Sequence, residues 1–350
     1  MSTQRLVFSV FQIMLSLLLI LVSLTACQKQ KKTAEEKSYR LAVFVPGVTE
    51  GSPIYEMLVE GAQRAVDESA DASAQIVEGG FNQAEWQEKI TSLAATGTYD
   101  LILTSNPAMP SICASVARDF PEQRFAVMDG FLRDNPQVYT VLFNQMEQAY
   151  LIGYIGGLVT TSSMPGANPE TRVGLIAGQR YPIMDRAIEP GFERGLKDAN
   201  PAIELDFRVV GNWYDAGKAA ELARSMIDAG VDVILPIAGG ANLGVVKAAE
   251  ESGRYVLWFD SSGYRLAPGT TVGSTVLRND RASYETVKAS MEDKLDYGKA
   301  RVVGVREGYI DFVTDDENYR KLVPPEIRKQ VESRLKEFKS GSRHLSMPQF

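Results

Sequence analysis

Val209–Leu235 reads VVGNWYDAGKAAELARSMIDAGVDVIL: the end of an apolar strand, a polar loop carrying a tryptophan, an amphipathic helix and a second aliphatic strand. The same plan occurs 132 positions earlier, at Val77–Leu103, as VEGGFNQAEWQEKITSLAATGTYDLIL. Both stretches end in an aspartate before an aliphatic run, Asp100–Leu103 and Asp232–Leu235, and Phe81 stands where Trp213 stands. Arg40 and Arg172 each head an apolar strand before their copy, and Asp129 and Asp260 each close a strand after it. A unit repeated at this spacing makes the chain a doubled α/β structure. Strands alternating with helices of this length predict parallel sheets with helices on both faces.

The periodicity predicts helices over 54–69, 84–96, 111–119, 187–199, 216–229 and 242–252, with apolar strands between them. Residues 145–160 form a further helix carrying Gly153, Gly156 and Gly157, a spacing that lets it lie close against a neighbour. Ser162–Glu170, rich in turn residues, is the expected lobe boundary. Beyond Gly263 the alternation loosens, with a strand at 273–277, a helix at 283–295, a strand at 301–305 and a charged helix at 325–339. These surplus elements imply that the chain crosses between lobes more than once, leaving a hinge of several strands.

The chain has 350 residues, a formal charge of −7 and no cluster of Lys and Arg, which speaks against a nucleic-acid partner. Arg5 precedes an apolar run from Val7 to Leu24, and Leu24-Thr25-Ala26-Cys27 follows. This looks like a lipobox, with cleavage before an acylated Cys27; an uncleaved transmembrane helix is the competing reading. On the first reading residues 1–26 are a signal peptide and 27–38 a tether, and the protein is lipid-anchored to a bacterial membrane, facing the periplasm or exterior. Cys113 lies on the apolar stripe of its helix and reads as packing. His344, the only histidine, falls in a tail expected to fray. That leaves no histidine metal site and no Ser/His/Asp triad, and neither GxGxxG nor GxxxxGK[ST] follows the first strand. No cofactor, catalytic residue or metal ligand is expected.

Ligands of parallel α/β sheets bind beyond the carboxyl ends of the strands. The loops there hold Tyr55, Phe81, Asn82, Asn106, Asp129, Asn144, Arg180, Trp213, Gly239, Asp260 and Arg278. Aromatics that stack, beside carboxylates and amides that take up donors, suit a flat heterocycle bearing hydroxyls.

Several segments resemble the basic-membrane-protein family of bacterial solute-binding lipoproteins. They include the lipobox, EGAQRA at 60–65, AVMDG at 126–130 and EQAYLIGYIGGL at 147–158. GFERGLKDANP at 191–201, VGNWYDAGKA at 210–219 and AGGANLGVVKAA at 238–249 belong with them. The resemblance implies a two-lobed periplasmic-binding-protein fold of type I, with lobes at 39–144 (plus part of 264–300) and 145–263 (plus part of 301–350). It also implies delivery of a small molecule to the permease and ATPase of an ABC importer; well-known members bind purine nucleosides. Trp213 then falls on the family's base-stacking aromatic, Asp129 on its base-recognising aspartate and Asp260 on its ribose-binding one. Arg278 stands where a lysine near the sugar is usual. The family's first loop reads like DxGxxDxSFN, and here it is PGVTEGSPIY from Pro46, without the first aspartate. That loss, with a tryptophan as stacking ring, favours riboflavin, the ligand of a related branch, over a purine nucleoside. A nucleoside-processing enzyme and the ligand-sensing domain of a regulator are the readings from other classes. The first would need an acidic cluster, and the second a helix-turn-helix before the first strand.

Overall fold

The computed structural model describes residues 38–348; the expected signal, Cys27 and the tether up to residue 37 lie outside them. Two six-stranded sheets make up the described chain. The first has the order β11-β5-β4-β3-β1-β2 and the second β12-β10-β9-β8-β6-β7. The first five strands are β1 (Tyr39–Val45), β2 (Ala72–Glu78), β3 (Leu101–Ser105), β4 (Phe125–Met128) and β5 (Val138–Phe143). Their counterparts are β6 (Arg172–Ala177), β7 (Glu204–Val209), β8 (Val231–Ile237), β9 (Tyr255–Trp258) and β10 (Thr271–Leu277). β11 (Ala300–Val303) and β12 (Ile310–Phe312) complete the two sheets. Raising each number in the first five by five converts one order into the other, so the sequence repeat is also a repeat of topology. Only the last strands break it: β11 runs parallel to β5, and β12 antiparallel to β10.

The central strands β3, β4, β5 and β8 are buried along their whole length, as parallel strands covered on both faces must be. The helices are α1 (Pro53–Asp67), α2 (Trp86–Ala95), α3 (Met109–Asp119), α4 (Gln145–Thr160), α5 (Glu189–Ala199), α6 (Ala216–Asp228), α7 (Asn242–Glu251), α8 (Asn279–Met291), α9 (Glu317–Leu322) and α10 (Pro325–Ser340). A π-helical turn at Met184–Ile188 leads into α5. The sequence pattern did not mark α9 or β12, which are six and three residues long. α8 begins four residues before its expected start because its first turn is polar yet buried: Asn279 is 0% exposed and its Nδ2 donates to the Ile54 carbonyl.

The chain leaves the first sheet at Asn144, returns to it at α8, which packs on α1, and leaves again after β11. These crossings are tied side by side, Asn144 N–H to Val303 O and Arg278 N–H to Tyr309 O, each at 2.8 Å. Ser162–Glu170 is not the boundary expected of it. It is fastened to the second sheet, with Asn168 N–H on Asp232 Oδ2 at 2.8 Å and Gly166 N–H on the Tyr255 hydroxyl at 3.1 Å. Turn residues mark a change of direction, which here happens inside a lobe.

α4 and α5 touch backbone to backbone. A Cβ on Gly153 would lie 2.3 Å from Phe192 O, and one on Gly195 would lie 2.2 Å from Tyr150 O. Gly153→Ala should therefore push the helices apart and cost about 2–3 kcal/mol, the upper range for overpacking, read as a fall in the urea midpoint. An unchanged midpoint would mean that the helices separate freely.

The carboxyl-terminal tail is also not frayed. Gly341, at φ 76°, ends α10 and turns the chain back toward the crossings. Glu147, in the first turn of α4 and 3% exposed, accepts from Val305 N–H at 3.2 Å and Leu345 N–H at 3.3 Å. His344 Nδ1 lies 2.8 Å from the same carboxylate, and Asn144 Nδ2 donates to Leu345 O at 2.7 Å. Residues 344–345 thus fasten the tail to the start of α4 beside the crossings.

Candidate ligand-binding cleft

Asp129 and Asp260 follow the equivalent strands β4 and β9, and both adopt left-handed backbone, φ 53° and 66°. Such a conformation is uncommon outside glycine and persists where the surroundings enforce it. The two carboxyl groups are close enough for one charge to act on the other. Burial, with the Asp260 charge added to it, pushes Asp129 up to about 7. Burial pushes Asp260 up to about 6 against the opposing hydrogen bond from Gln148. Neither aspartate has an ion pair among the described residues.

Around this pair the first sheet contributes Tyr55 and Asn106. The Tyr55 ring lies over Gly47, where a Cβ would come within 2.9 Å, and its hydroxyl donates to Pro46 O at 3.1 Å. Asn106 Nδ2 donates to that hydroxyl at 3.3 Å. Burial lifts Tyr55 to about 12 with Asp129 adding to the effect, so it stays a neutral phenol. The second sheet contributes Trp213 and Tyr181, with centroids 5.9 Å apart and rings tilted by 54°. Burial raises Tyr181 strongly, and Asp260 and then Asp129 raise it further, which places it beside both carboxylates.

Local sequence explains how Trp213 is presented. Asn212 Oδ1 accepts from Tyr214 N–H and Asp215 N–H, an Asx turn, and Asp215 caps α6 through Lys218 N–H. The indole lies against Gly178, where a Cβ would be 2.5 Å from the ring. Gly239, at φ 58°, lets its loop pass beneath the Trp213 carbonyl.

The other expected residues stand elsewhere. Phe81, the repeat counterpart of Trp213, is 74% exposed; Trp86 holds its loop by donating from Nε1 to Gly80 O and fills the buried place. Asn82 caps the short turn at Gln83–Glu85. Both amide atoms of Asn144 are engaged, Oδ1 by Glu147 N–H and Nδ2 by Leu345 O. Arg180 lies over Phe207 and pairs with Asp185 and Glu189, and Arg278 makes a two-pronged pair with Asp280. Their charges are answered locally, so neither neutralises the aspartates. Two residues of the cleft escaped the loop inventory. Gln145 and Gln148, in the first turn of α4, place their Nε2 atoms 3.4 Å from Asp129 and 3.0 Å from Asp260. The available signal was a pair of amides three residues apart, opening an otherwise apolar helix immediately after a crossing.

Two sheets in the same order, joined by several crossings, define the fold of the periplasmic solute-binding proteins. Comparison of structures agrees on the fold. An ABC-transporter solute-binding protein of Aeropyrum pernix superposes with a TM-score of 0.76 at 22% identity, covering 89% of this chain and 94% of that one. The chain belongs to the Bmp family, described as ABC transporter substrate-binding protein PnrA-like, whose profile matches residues 38–344. That description is of a substrate-binding protein. Basic membrane protein A1 of Borrelia garinii is 24% identical over 309 residues, 87% of each chain. A CD4+ T-cell-stimulating antigen of Listeria innocua is 26% identical over 235 residues, 67% of this chain and 59% of that antigen's length. Among the described residues no helix is long and apolar enough to cross a membrane.

Proposed function

We propose that this protein captures a neutral, flat heterocycle carrying a polyol or sugar and hands it to an ABC importer, and that the heterocycle is riboflavin. One observation carries the reading: two carboxyl groups, without an ion pair among the described residues, from matching loops of the two sheets, beside the Trp213–Tyr181 wall. Such carboxyl groups meet O–H and N–H donors, and the negative charge the pair carries repels phosphate, which favours the free vitamin over its phosphate ester and the nucleoside over the nucleotide. The paired carboxylates suit a purine nucleoside as well. What favours riboflavin is the first loop, which supplies the Tyr55 ring and has Pro46 in place of the family's first aspartate, its one carboxylate, Glu50, being exposed, while Trp213 offers a wide plate for three fused rings.

In titration calorimetry riboflavin should bind at least tenfold tighter than adenosine, guanosine or inosine, a difference of about 1.4 kcal/mol or more. Binding of a nucleoside without heat from riboflavin would return the site to the purine ligands. The anchor has its own test. Cys27→Ser should leave unprocessed precursor in cells and abolish incorporation of labelled fatty acid; continued labelling would remove the lipoprotein assignment.

A further inference from the structure

Gln148 is fully buried, one turn into the helix that receives the crossing from the first sheet. Its Nε2 lies 3.0 Å from Asp260 Oδ1 and 3.4 Å from Thr275 Oγ1, so both amide hydrogens are directed at oxygens. Chemistry fixes this orientation: turned over, the amide would set its carbonyl against a carboxylate, which only accepts. Its Oε1 is buried with no partner among the described residues. An open buried acceptor is unfavourable, so the residue is not placed there for stability alone. Asp129 is held differently. Gln145, three residues earlier, stands 3.4 Å from its Oδ1, at the long edge of hydrogen bonding.

The titratable groups facing the pair are Tyr55 from α1 and Tyr181 after β6, both kept neutral by burial. Asp185 acts on Tyr181 from farther off and is itself paired with Arg180. Two carboxyl groups so placed, without a cation, do not share ionisation equally at neutral pH.

We propose that Gln148 is the positioning residue of this pair: it fixes Asp260 as the anion that accepts a ligand donor and leaves Asp129 as the carboxyl that carries the proton in the empty cleft. Both groups are raised by burial, Asp129 further by the Asp260 charge, to about 7, and Asp260 only to about 6 because the Gln148 hydrogen bond opposes the rise. A ligand whose ring edge donates N–H to Asp129 sends that proton to solvent; one that offers a carbonyl or ring nitrogen keeps it. The proton count on binding therefore reports which ring edge is read. The purpose of this device rests on the solute-binding reading above, but the proton assignment belongs to the empty protein.

The test is a carbon-13 NMR titration of the aspartate carboxyls in the ligand-free protein, with Asp129→Asn and Asp260→Asn assigning the signals. Asp260 should lose its proton at lower pH than Asp129. Gln148→Met should raise Asp260 until the two merge or exchange order, and Thr275→Val, a milder change, should move it the same way by less. Asp260 titrating at or above Asp129 in the unaltered protein overturns the proposal, as does an unchanged order in a folded Gln148→Met. Calorimetry with riboflavin in two buffers of different ionisation heat then counts protons. A wild-type protein that keeps the expected order but binds no riboflavin would refute the ligand and leave the assignment standing.

Discussion

Glu147→Ala should lower the stability of the protein by about 3 kcal/mol or more, because a buried carboxylate is removed from under donors that have no other acceptor. Val305 N–H and Leu345 N–H both end on Glu147, which is 3% exposed, and His344 Nδ1 reaches the same group. Each buried donor left open costs about 1–3 kcal/mol. The side chain binds one crossing and the carboxyl-terminal strap to α4, so its loss should also loosen the hinge. Glu147→Gln keeps an acceptor and should cost about 1 kcal/mol. His344→Ala should cost less than either, because that ring is 65% exposed. Urea denaturation of the three variants ranks them. A Glu147→Ala midpoint equal to that of His344→Ala would show that the strap is not held through Glu147.

Trp213→Ala should weaken binding of riboflavin by about 2 kcal/mol or more, roughly thirtyfold in Kd, the range of a hot-spot aromatic. The indole is 36% exposed and lies with one side on Gly178 and its neighbour Tyr181 tilted against it. The backbone beneath keeps the plate rigid, so little rotamer freedom is lost when a ring stacks on it. Trp213→Phe should recover part of the loss. Folding stability should barely move, because the loop is held by Asn212 and Asp215 and not by the indole. Full-affinity binding to Trp213→Ala would exclude the tryptophan from the site.

The architecture was legible in the amino-acid pattern. Both sheets follow from a repeat of 132 residues in which apolar runs alternate with amphipathic helices, and runs of buried aliphatics admit only parallel, two-sided burial. It also singled out Trp213, Asp129 and Asp260, since the carboxyl ends of parallel strands can be read from the strand pattern alone. What it could not supply was which side chains are already engaged. Arg180, Arg278 and Asn144 lie in the right loops, yet Arg180 pairs with Asp185 and Glu189, Arg278 with Asp280, and Asn144 with Glu147 N–H and Leu345 O. Phe81 and Trp213 match in the repeat, but Trp86 occupies the buried position on one side and nothing equivalent competes on the other. Gln145 and Gln148 meet the aspartates across 16 and 112 residues of sequence, and Leu345 meets Glu147 across 198. Contacts of that range leave no local periodicity, because they are set by where the chain crosses between the sheets.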